Sequence, residues 1–65
     1  MRFKLKAARQ IAELTQVEAA ESLGISRSTI QNWEAYRTSP RAEQAQKLAE
    51  LYGVPYSQIY FCSKS

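Results

Sequence analysis

Residues 15–34, TQVEAAESLGISRSTIQNWE, contain the signals of two short helices separated by a sharp bend. Thr15 and Glu18 have the spacing of a capping box, in which each side chain accepts a hydrogen bond from the backbone N–H of the other residue. Gly24 suits the left-handed position just past the end of this helix. Ser26 is predicted to cap the next helix. Because so few residues separate the two helices, they cannot lie antiparallel and must cross steeply.

Apolar residues at helical spacing indicate which faces of these two helices are buried. On the helix that follows Thr15, the predicted buried residues are Val17, Ala20 and Leu23. Around the start of the next helix, Ile25 and Ile30 have the spacing of a hydrophobic staple. Ile30 and Trp33 lie close together on its inner face. The two crossed helices therefore predict a helix-turn-helix.

Helices are also predicted on both sides of this motif. A first helix is expected from about Phe3 to Ala12. Ser39 and Pro40 are expected to open the fourth helix, with Ser39 as its cap and Pro40 in the first turn, where the missing N–H costs nothing. Gly53 is expected to end this helix. Its predicted inner face consists of Ala45, Leu48, Ala49 and Tyr52.

The carboxyl-terminal residues are predicted to add a short fifth helix. Val54 and Pro55 redirect the chain, and the helix is expected from Tyr56 to about Phe61. A chain of 65 residues has room for one hydrophobic core. The expected fold is thus a single all-α domain over residues 1–65, a compact five-helix unit with the helix-turn-helix in helices 2 and 3.

Composition restricts the classes of function. The formal net charge is +3, and four basic residues precede the first acid of the chain, Glu13. These residues are Arg2, Lys4, Lys6 and Arg9. Such a segment can face phosphates, although a solvated helix face rich in Lys and Arg explains it equally well. No stretch of the sequence is long enough to span a membrane.

The sequence contains few of the residue patterns that catalysis requires. Histidine is absent, the glutamates are scattered, and there is no glycine-rich phosphate loop. We therefore predict that the protein is not an enzyme and uses no metal or other cofactor, and no small-molecule ligand is evident. Cys62 is the only cysteine, which excludes an intrachain disulfide and fits a reducing compartment.

The outward face of the third helix is polar and almost uncharged. It combines amide, hydroxyl and guanidinium groups, contributed by Arg27, Ser28, Gln31 and Asn32, with Ala35 beside them. Arg pairs with guanine, and Asn or Gln pairs with adenine, through two hydrogen bonds at the base edge. An ordinary solvated face is the alternative. Glu34 lies beside the apolar face and needs a partner if it is buried, for which Arg9 is the candidate.

The combined pattern resembles the phage repressor and Cro-type helix-turn-helix family. It runs Thr15-Gln16-x-x-x-Ala20-x-x-x-Gly24-Ile25-Ser26-Arg27-Ser28-Thr29-Ile30-x-x-x-Glu34, and Leu48-Ala49-x-x-Tyr52-Gly53-Val54 follows later. The resemblance extends from about Leu5 to Ile59. It implies a lambda-repressor-like domain that binds double-stranded DNA and regulates transcription, more commonly as a repressor than as an activator.

The resemblance also assigns roles to individual residues. Base contacts are implied for Arg27, Ser28 and Asn32, with Gln31 as a flanking contact. Phosphate contacts are implied for Gln16, Thr29, Arg9, Arg37 and Thr38, and Tyr36 is a further candidate. Arg9 and Glu34 match a pair that bonds internally. Together these residues define the expected DNA-binding surface.

The sequence departs from the family at two places. Ala19 lies where a larger apolar residue, commonly Leu, is usual, and Trp33 is expected to fill the missing volume. Ala35 and Tyr36 replace a polar residue followed by Gly after the glutamate. Without this glycine the third helix is expected to run further or to end differently, which affects the reach of Arg37 and Thr38.

Members of such a family usually bind near-palindromic operators as two-fold dimers. Tyr56, Tyr60 and Phe61 form a larger aromatic surface than so small a core needs, so a homodimer contact is predicted there. The alternative is that these aromatic residues only close the core of the domain. The resemblance implies a cytoplasmic, nucleoid-associated protein of bacterial or phage origin. A rival hypothesis is a protein-interaction module, such as an antitoxin or a regulatory subunit.

Overall fold

The computed structural model describes residues 2–61, and within them the order of elements is strand, four helices and strand. The helices are α1 Leu5–Ile11, α2 Gln16–Leu23, α3 Arg27–Glu34 and α4 Ala42–Tyr52. The strands are β1 Phe3–Lys4 and β2 Ile59–Tyr60, and a 3-10 turn at Tyr56–Gln58 precedes β2. The predicted all-helical class is confirmed. Cys62, singled out by the sequence, lies outside the described residues.

The helix-turn-helix forms for the local reasons that the sequence indicates. Thr15 Oγ1 accepts from the N–H of Glu18 at 3.1 Å, and Glu18 Oε1 accepts from the N–H of Thr15 at 2.9 Å. This confirms the predicted capping box at the start of α2. Gly24 has φ of 68° and ends α2 in the left-handed conformation. Ser26 then caps α3 by accepting from the N–H of Thr29.

The core lies where the four helices meet. Its most deeply buried large side chains are Leu5, Ile30 and Leu48, one from each of α1, α3 and α4. Trp33 and Ala19 belong to the same buried cluster, in agreement with the interpretation that the large ring accompanies the small residue. The predicted inner face of α4 is confirmed, because all four of its residues are buried.

One predicted core residue is wrong. Val17 is 45% exposed, whereas Ala19 and Ala20 are both buried. Side chains follow one another around a helix in steps of 100°, so a buried stripe that includes Ala19 as well as Ala20 is rotated away from Val17. The sequence pattern had placed this stripe too far toward Val17.

The two ends of the chain differ from the prediction of a longer first helix and a fifth helix. Phe3 and Lys4 are extended, and they pair in parallel with Ile59 and Tyr60. The N–H of Gln58 donates to the carbonyl of Pro55 at 2.8 Å, which closes a single 3-10 turn and not an α-helix. Extended backbone at both ends allows the strands to satisfy each other's polar groups. Residues 2–61 therefore contain four α-helices instead of the predicted five.

The fourth helix also begins later than predicted. Ser39 and Pro40 precede it, and Arg41 is the capping residue, with an extended backbone at φ of −69° and ψ of 161°. Gln44 Oε1 accepts from the backbone N–H of Arg41 at 3.3 Å, and the N–H of Ala45 donates to the carbonyl of Arg41 at 2.7 Å. These two bonds fix the start of α4 at Ala42 rather than at Pro40.

Candidate nucleic-acid interface

The third helix has one buried side and one open side. Ile30 and Trp33 are 1% and 4% exposed, so they fix the helix against the core. On the other side, Arg27, Ser28 and Gln31 are exposed and Asn32 is half-buried. The side chains predicted to contact bases therefore face outward together and form the reading face, which consists of Arg27, Ser28, Gln31 and Asn32. The two buried apolar residues set the rotation of the helix.

The bend before α3 presents the start of this helix to solvent. The N–H of Ile25 donates to the carbonyl of Ala20 at 3.0 Å across Gly24, an arrangement that satisfies carbonyls at the end of α2. Ser26 Oγ lies 3.2 Å from Ser28 Oγ and 3.0 Å from Thr29 Oγ1. Thr29, a predicted phosphate contact, thus belongs to a hydroxyl cluster at the first turn of α3.

A buried ion pair joins α1 to the end of α3. Arg9 Nε lies 2.6 Å from Glu34 Oε2, and the two side chains are 10% and 8% exposed. Arg9 Nη1 also donates to the carbonyl of Leu14 at 2.7 Å, in the loop before α2. The structure forms the pair that the sequence suggested. These bonds hold the Arg9 guanidinium inside, so the phosphate contact predicted for Arg9 would require them to break.

Gln16 connects this ion pair to the outward face of α3, a role that the sequence did not reveal. Its Nε2 donates to Glu34 Oε1 at 3.0 Å. Its Oε1 accepts from Arg27 Nε at 3.5 Å and from Gln31 Nε2 at 3.4 Å. These bonds require the crossing of α2 and α3, which local spacing cannot define. The motif placed Gln16 at the start of α2, but only the structure shows what its amide contacts.

An open groove of about 340 Å³ lies at the start of α2. It is lined by Arg9, Leu14, Thr15, Gln16, Val17 and Arg27. The first turn of a helix presents backbone N–H groups and the positive end of the helix dipole, so such a place suits an anion. This geometry supports the predicted phosphate contact at Gln16.

The loop after α3 turns where the family has its glycine. Helix α3 ends at Glu34, Ala35 is still right-handed, and Tyr36 has φ of 58°. The N–H of Arg37 donates to the carbonyl of Asn32 at 3.0 Å, and Arg37 and Thr38 are both exposed. The helix therefore does not run on through Tyr36, because this residue adopts the left-handed conformation that a glycine would favour.

The Tyr36 hydroxyl is bonded within the protein. It donates to the carbonyl of Tyr60 at 2.9 Å and accepts from the N–H of Leu5 at 3.3 Å. Burial, as the main cause, raises the pKa of Tyr36 above its ordinary value. The phosphate contact predicted for Tyr36 would require these bonds to break.

The aromatic residues near the carboxyl end divide between the core and the surface. Tyr60 is half-buried, and its ring packs on Tyr36 with 5.5 Å between centroids. Phe61 packs against the core and also contacts Tyr56, at 5.0 Å between ring centroids. Tyr56 is 48% exposed. Of the three aromatic residues predicted for dimer contact, Tyr56 is therefore the most exposed.

Charge on the reading side of the domain is positive. Between Gly24 and Ala42 the only acid is Glu34, and it is paired internally with Arg9. Arg27, Arg37 and Arg41 are exposed in the same part of the chain. A segment with this excess of positive charge favours an anionic partner. A capped helix pair with a polar, positive reading face defines the class of helix-turn-helix DNA-binding domains.

Comparison with known proteins agrees with this class. Residues 5–59 match the family model described as helix-turn-helix. The chain is 38% identical over 60 residues to the uncharacterized HTH-type transcriptional regulator MJ0272 of Methanocaldococcus jannaschii, with 92% of this chain and 91% of the relative covered. The chain therefore belongs to the helix-turn-helix family of DNA-binding transcriptional regulators, of the phage repressor and Cro type.

Two further relatives are longer than this chain. The cryptic phage CTXphi transcriptional repressor RstR of Vibrio cholerae is 34% identical over 56 residues, which cover 86% of this chain and 50% of the relative. The HTH-type transcriptional regulator ImmR of Bacillus subtilis is 43% identical over 51 residues, covering 78% and 40%. The chain thus spans about half the length, or less, of these two relatives. No solved structure matches the chain.

Residues 2–61 contain neither a membrane-spanning helix nor a cluster of metal ligands. In that part of the chain no helix is both long and apolar enough to cross a bilayer. The same residues contain no group of three Cys, Asp or Glu side chains placed to hold a metal ion. The reading face of α3 is thus the main candidate site of the described structure.

Proposed function

We propose that the chain binds double-stranded operator DNA as a homodimer and represses transcription by occupying the site. The observation that carries this proposal is the outward face of α3, where Arg27, Ser28, Gln31 and Asn32 are presented opposite the buried Ile30 and Trp33. A helix with such a face fits the major groove, where each base pair shows its own pattern of donors and acceptors.

The proposed contacts divide into base reading and backbone docking. Arg27, Ser28 and Asn32 read base edges, and Gln31 contacts the flank. Gln16 at the start of α2, Thr29 on α3, and Arg37 and Thr38 after α3 bind phosphates. The groove at the start of α2 and the exposed position of Arg37 support this division.

Repression by occupancy is supported by the name of one relative. The Vibrio cholerae relative is named as a transcriptional repressor. In this proposal the protein acts by blocking access to the bound DNA, catalyses no reaction, and works in the cytoplasm in association with the nucleoid.

The proposed dimer contact lies around Tyr56. Phe3 and Tyr56 are 40% and 48% exposed. A groove of about 450 Å³ adjoins Tyr56, lined by Gln46, Ala49, Glu50, Val54, Pro55 and Tyr56 itself. The proposal requires that a second copy covering this surface places the two recognition helices about 34 Å apart, one turn of DNA. The operator is then near-palindromic.

In-vitro selection from a random duplex pool tests the DNA-binding function. We expect enrichment of a short half-site, repeated with inverted symmetry, and an affinity that falls steeply with salt because bound counterions are released. Asn32→Ala should weaken binding to the selected half-site, whereas Gln10→Ala, at an exposed residue of α1, is the control that should bind like the wild type. Failure to enrich any sequence, or binding that ignores salt, would refute the proposal and favour a protein-interaction module.

Sedimentation of the wild type and of Tyr56→Ser, with and without the selected duplex, tests the dimer. We expect two copies of the wild type on the duplex and weaker pairing of the variant. A wild-type protein that is a monomer in both conditions would contradict the dimer while leaving the reading of a half-site intact.

A further inference from the structure

Tyr36 adopts a backbone conformation that a tyrosine rarely tolerates. Its φ of 58° lies in the left-handed region, two residues after the end of α3. For a residue with a Cβ this conformation is strained, whereas a glycine adopts it readily. The surrounding structure must therefore hold Tyr36 in place, and the contacts of its side chain show how.

The Tyr36 side chain joins three parts of the fold. Its hydroxyl accepts from the N–H of Leu5, the first residue of α1, and donates to the carbonyl of Tyr60 in β2. The rings of Tyr36 and Tyr60 pack at 5.5 Å with a 60° angle between their planes. The N–H of Leu5 belongs to the first turn of a helix, where backbone donors have no partner within the helix. The end of α3 is thus tied to the start of α1 and to β2.

The residues that follow Tyr36 are the proposed backbone contacts. Arg37 and Thr38 are exposed, and the N–H of Arg37 bonds to the carbonyl of Asn32 on α3. Because Arg37 is the next residue along the chain, the position of Tyr36 sets where the Arg37 guanidinium can reach relative to the reading face.

We propose that Tyr36 is a positioning residue for DNA binding, which acts through the phosphate contacts of Arg37 and Thr38 and does not touch DNA itself. The inference rests on the proposed function, because it assumes that this loop meets the DNA backbone. That Tyr36 does not touch DNA is inferred from its hydroxyl, whose one proton is donated to the carbonyl of Tyr60 at 2.9 Å. A phosphate oxygen would have to displace that bond.

The test is a double-mutant cycle with Tyr36→Phe and Arg37→Ala, measured by fluorescence anisotropy on the selected duplex over a salt series. Tyr36→Phe keeps the ring and removes both hydrogen bonds of the hydroxyl. We expect each single variant to bind about fivefold to tenfold more weakly and to lower the slope of log affinity against log salt by about 1, as one lost phosphate contact does. The double variant should lose little more than Arg37→Ala alone.

Two controls separate positioning from stability. Tyr36→Gly relieves the strained backbone but removes the side chain. We expect it to lower the slope of log affinity against log salt by the same amount as Tyr36→Phe. Leu51→Ala removes a partly buried side chain that packs against the core from α4 and lines neither groove, and it should lower the thermal midpoint without changing the slope. Wild-type salt dependence in Tyr36→Phe would overturn the proposal and leave Tyr36 with a purely structural role.

Other outcomes overturn the inference in distinguishable ways. Additive losses in the double variant would mean that the Tyr36 hydroxyl contacts phosphate directly. An unchanged slope in Arg37→Ala would show that this loop does not meet the DNA, which removes the role of Tyr36 as well. Base reading by Asn32 is measured separately, so the proposed function would stand or fall on its own result.

Discussion

Gln16 Nε2 donates a hydrogen bond to Glu34 Oε1 at 3.0 Å, which links the first residue of α2 to the last residue of α3. The same carboxylate receives the guanidinium of Arg9 from α1. A single carboxylate therefore joins three helices directly beneath the reading face. Its charge is used inside the protein, so the acid does not oppose DNA at the surface.

Replacing Glu34 by Gln is expected to lower the free energy of unfolding by about 3 kcal/mol, because the buried Arg9 loses its counter-charge. Urea unfolding followed by tryptophan fluorescence measures this loss. The double variant Arg9→Met/Glu34→Gln should be more stable than Glu34→Gln, since no charge is then left without a partner. A cost below about 0.5 kcal/mol for Glu34→Gln would contradict the structural role of the pair.

Asn32 and Arg37 are expected to affect DNA binding in different ways. Asn32→Ala should cost about 1–3 kcal/mol and relax specificity at one base position. Arg37→Ala should weaken binding to all sequences by a similar factor, because a phosphate carries no base identity. Gel shifts with every single-base variant of the selected half-site distinguish these patterns. Equal behaviour of Asn32→Ala and wild type on every site would discredit the assignment of base contacts.

Gly24→Ala is expected to destabilise the protein by roughly 1 kcal/mol through its backbone alone. A Cβ added at Gly24 would meet no atom within 4 Å, but φ is 68°. Gly53 ends α4 with the same φ and the same open space, so Gly53→Ala is a matched control with a similar cost. Chemical denaturation of both variants tests this, and a loss several times larger at Gly24 alone would indicate a steric clash that the structure does not contain.

Because of Tyr52, the free energy of unfolding is expected to depend on pH in the alkaline range. Burial, with a smaller contribution from Glu34, raises the pKa of Tyr52 to about 12 from 10.0. The unfolded chain loses this proton at lower pH than the folded protein does, so stability is complete below pH 10 and falls as pH rises toward 12. The loss is on the order of 2–3 kcal/mol. A plot of the free energy of unfolding against pH, between pH 9 and 11, should fall less steeply for Tyr52→Phe than for the wild type. Equal slopes for the two proteins would exclude this linkage.

Much of the helix-turn-helix could be predicted because its signals act over one or two turns. The capping box of Thr15 and Glu18, the left-handed Gly24 and the cap at Ser26 each depend on bonds between residues a few positions apart. The rotation of α3 follows from Ile30 and Trp33 in the same way. The outward face of the candidate site was therefore available from spacing alone, before any tertiary contact was known.

Other features depend on residues that are distant in the chain. The pairing of β1 with β2 replaces the ends of two predicted helices, because extended residues at the two termini meet only after the helices have packed. Val17 became exposed through the way α2 rests on the core, and the amide of Gln16 found its partners through the crossing of α2 and α3. Nothing in the local spacing of Tyr36 indicates that its hydroxyl reaches Leu5 and Tyr60. Short-range hydrogen bonds depend on residues that are close in the sequence, whereas these contacts form only when the helices and strands have packed together.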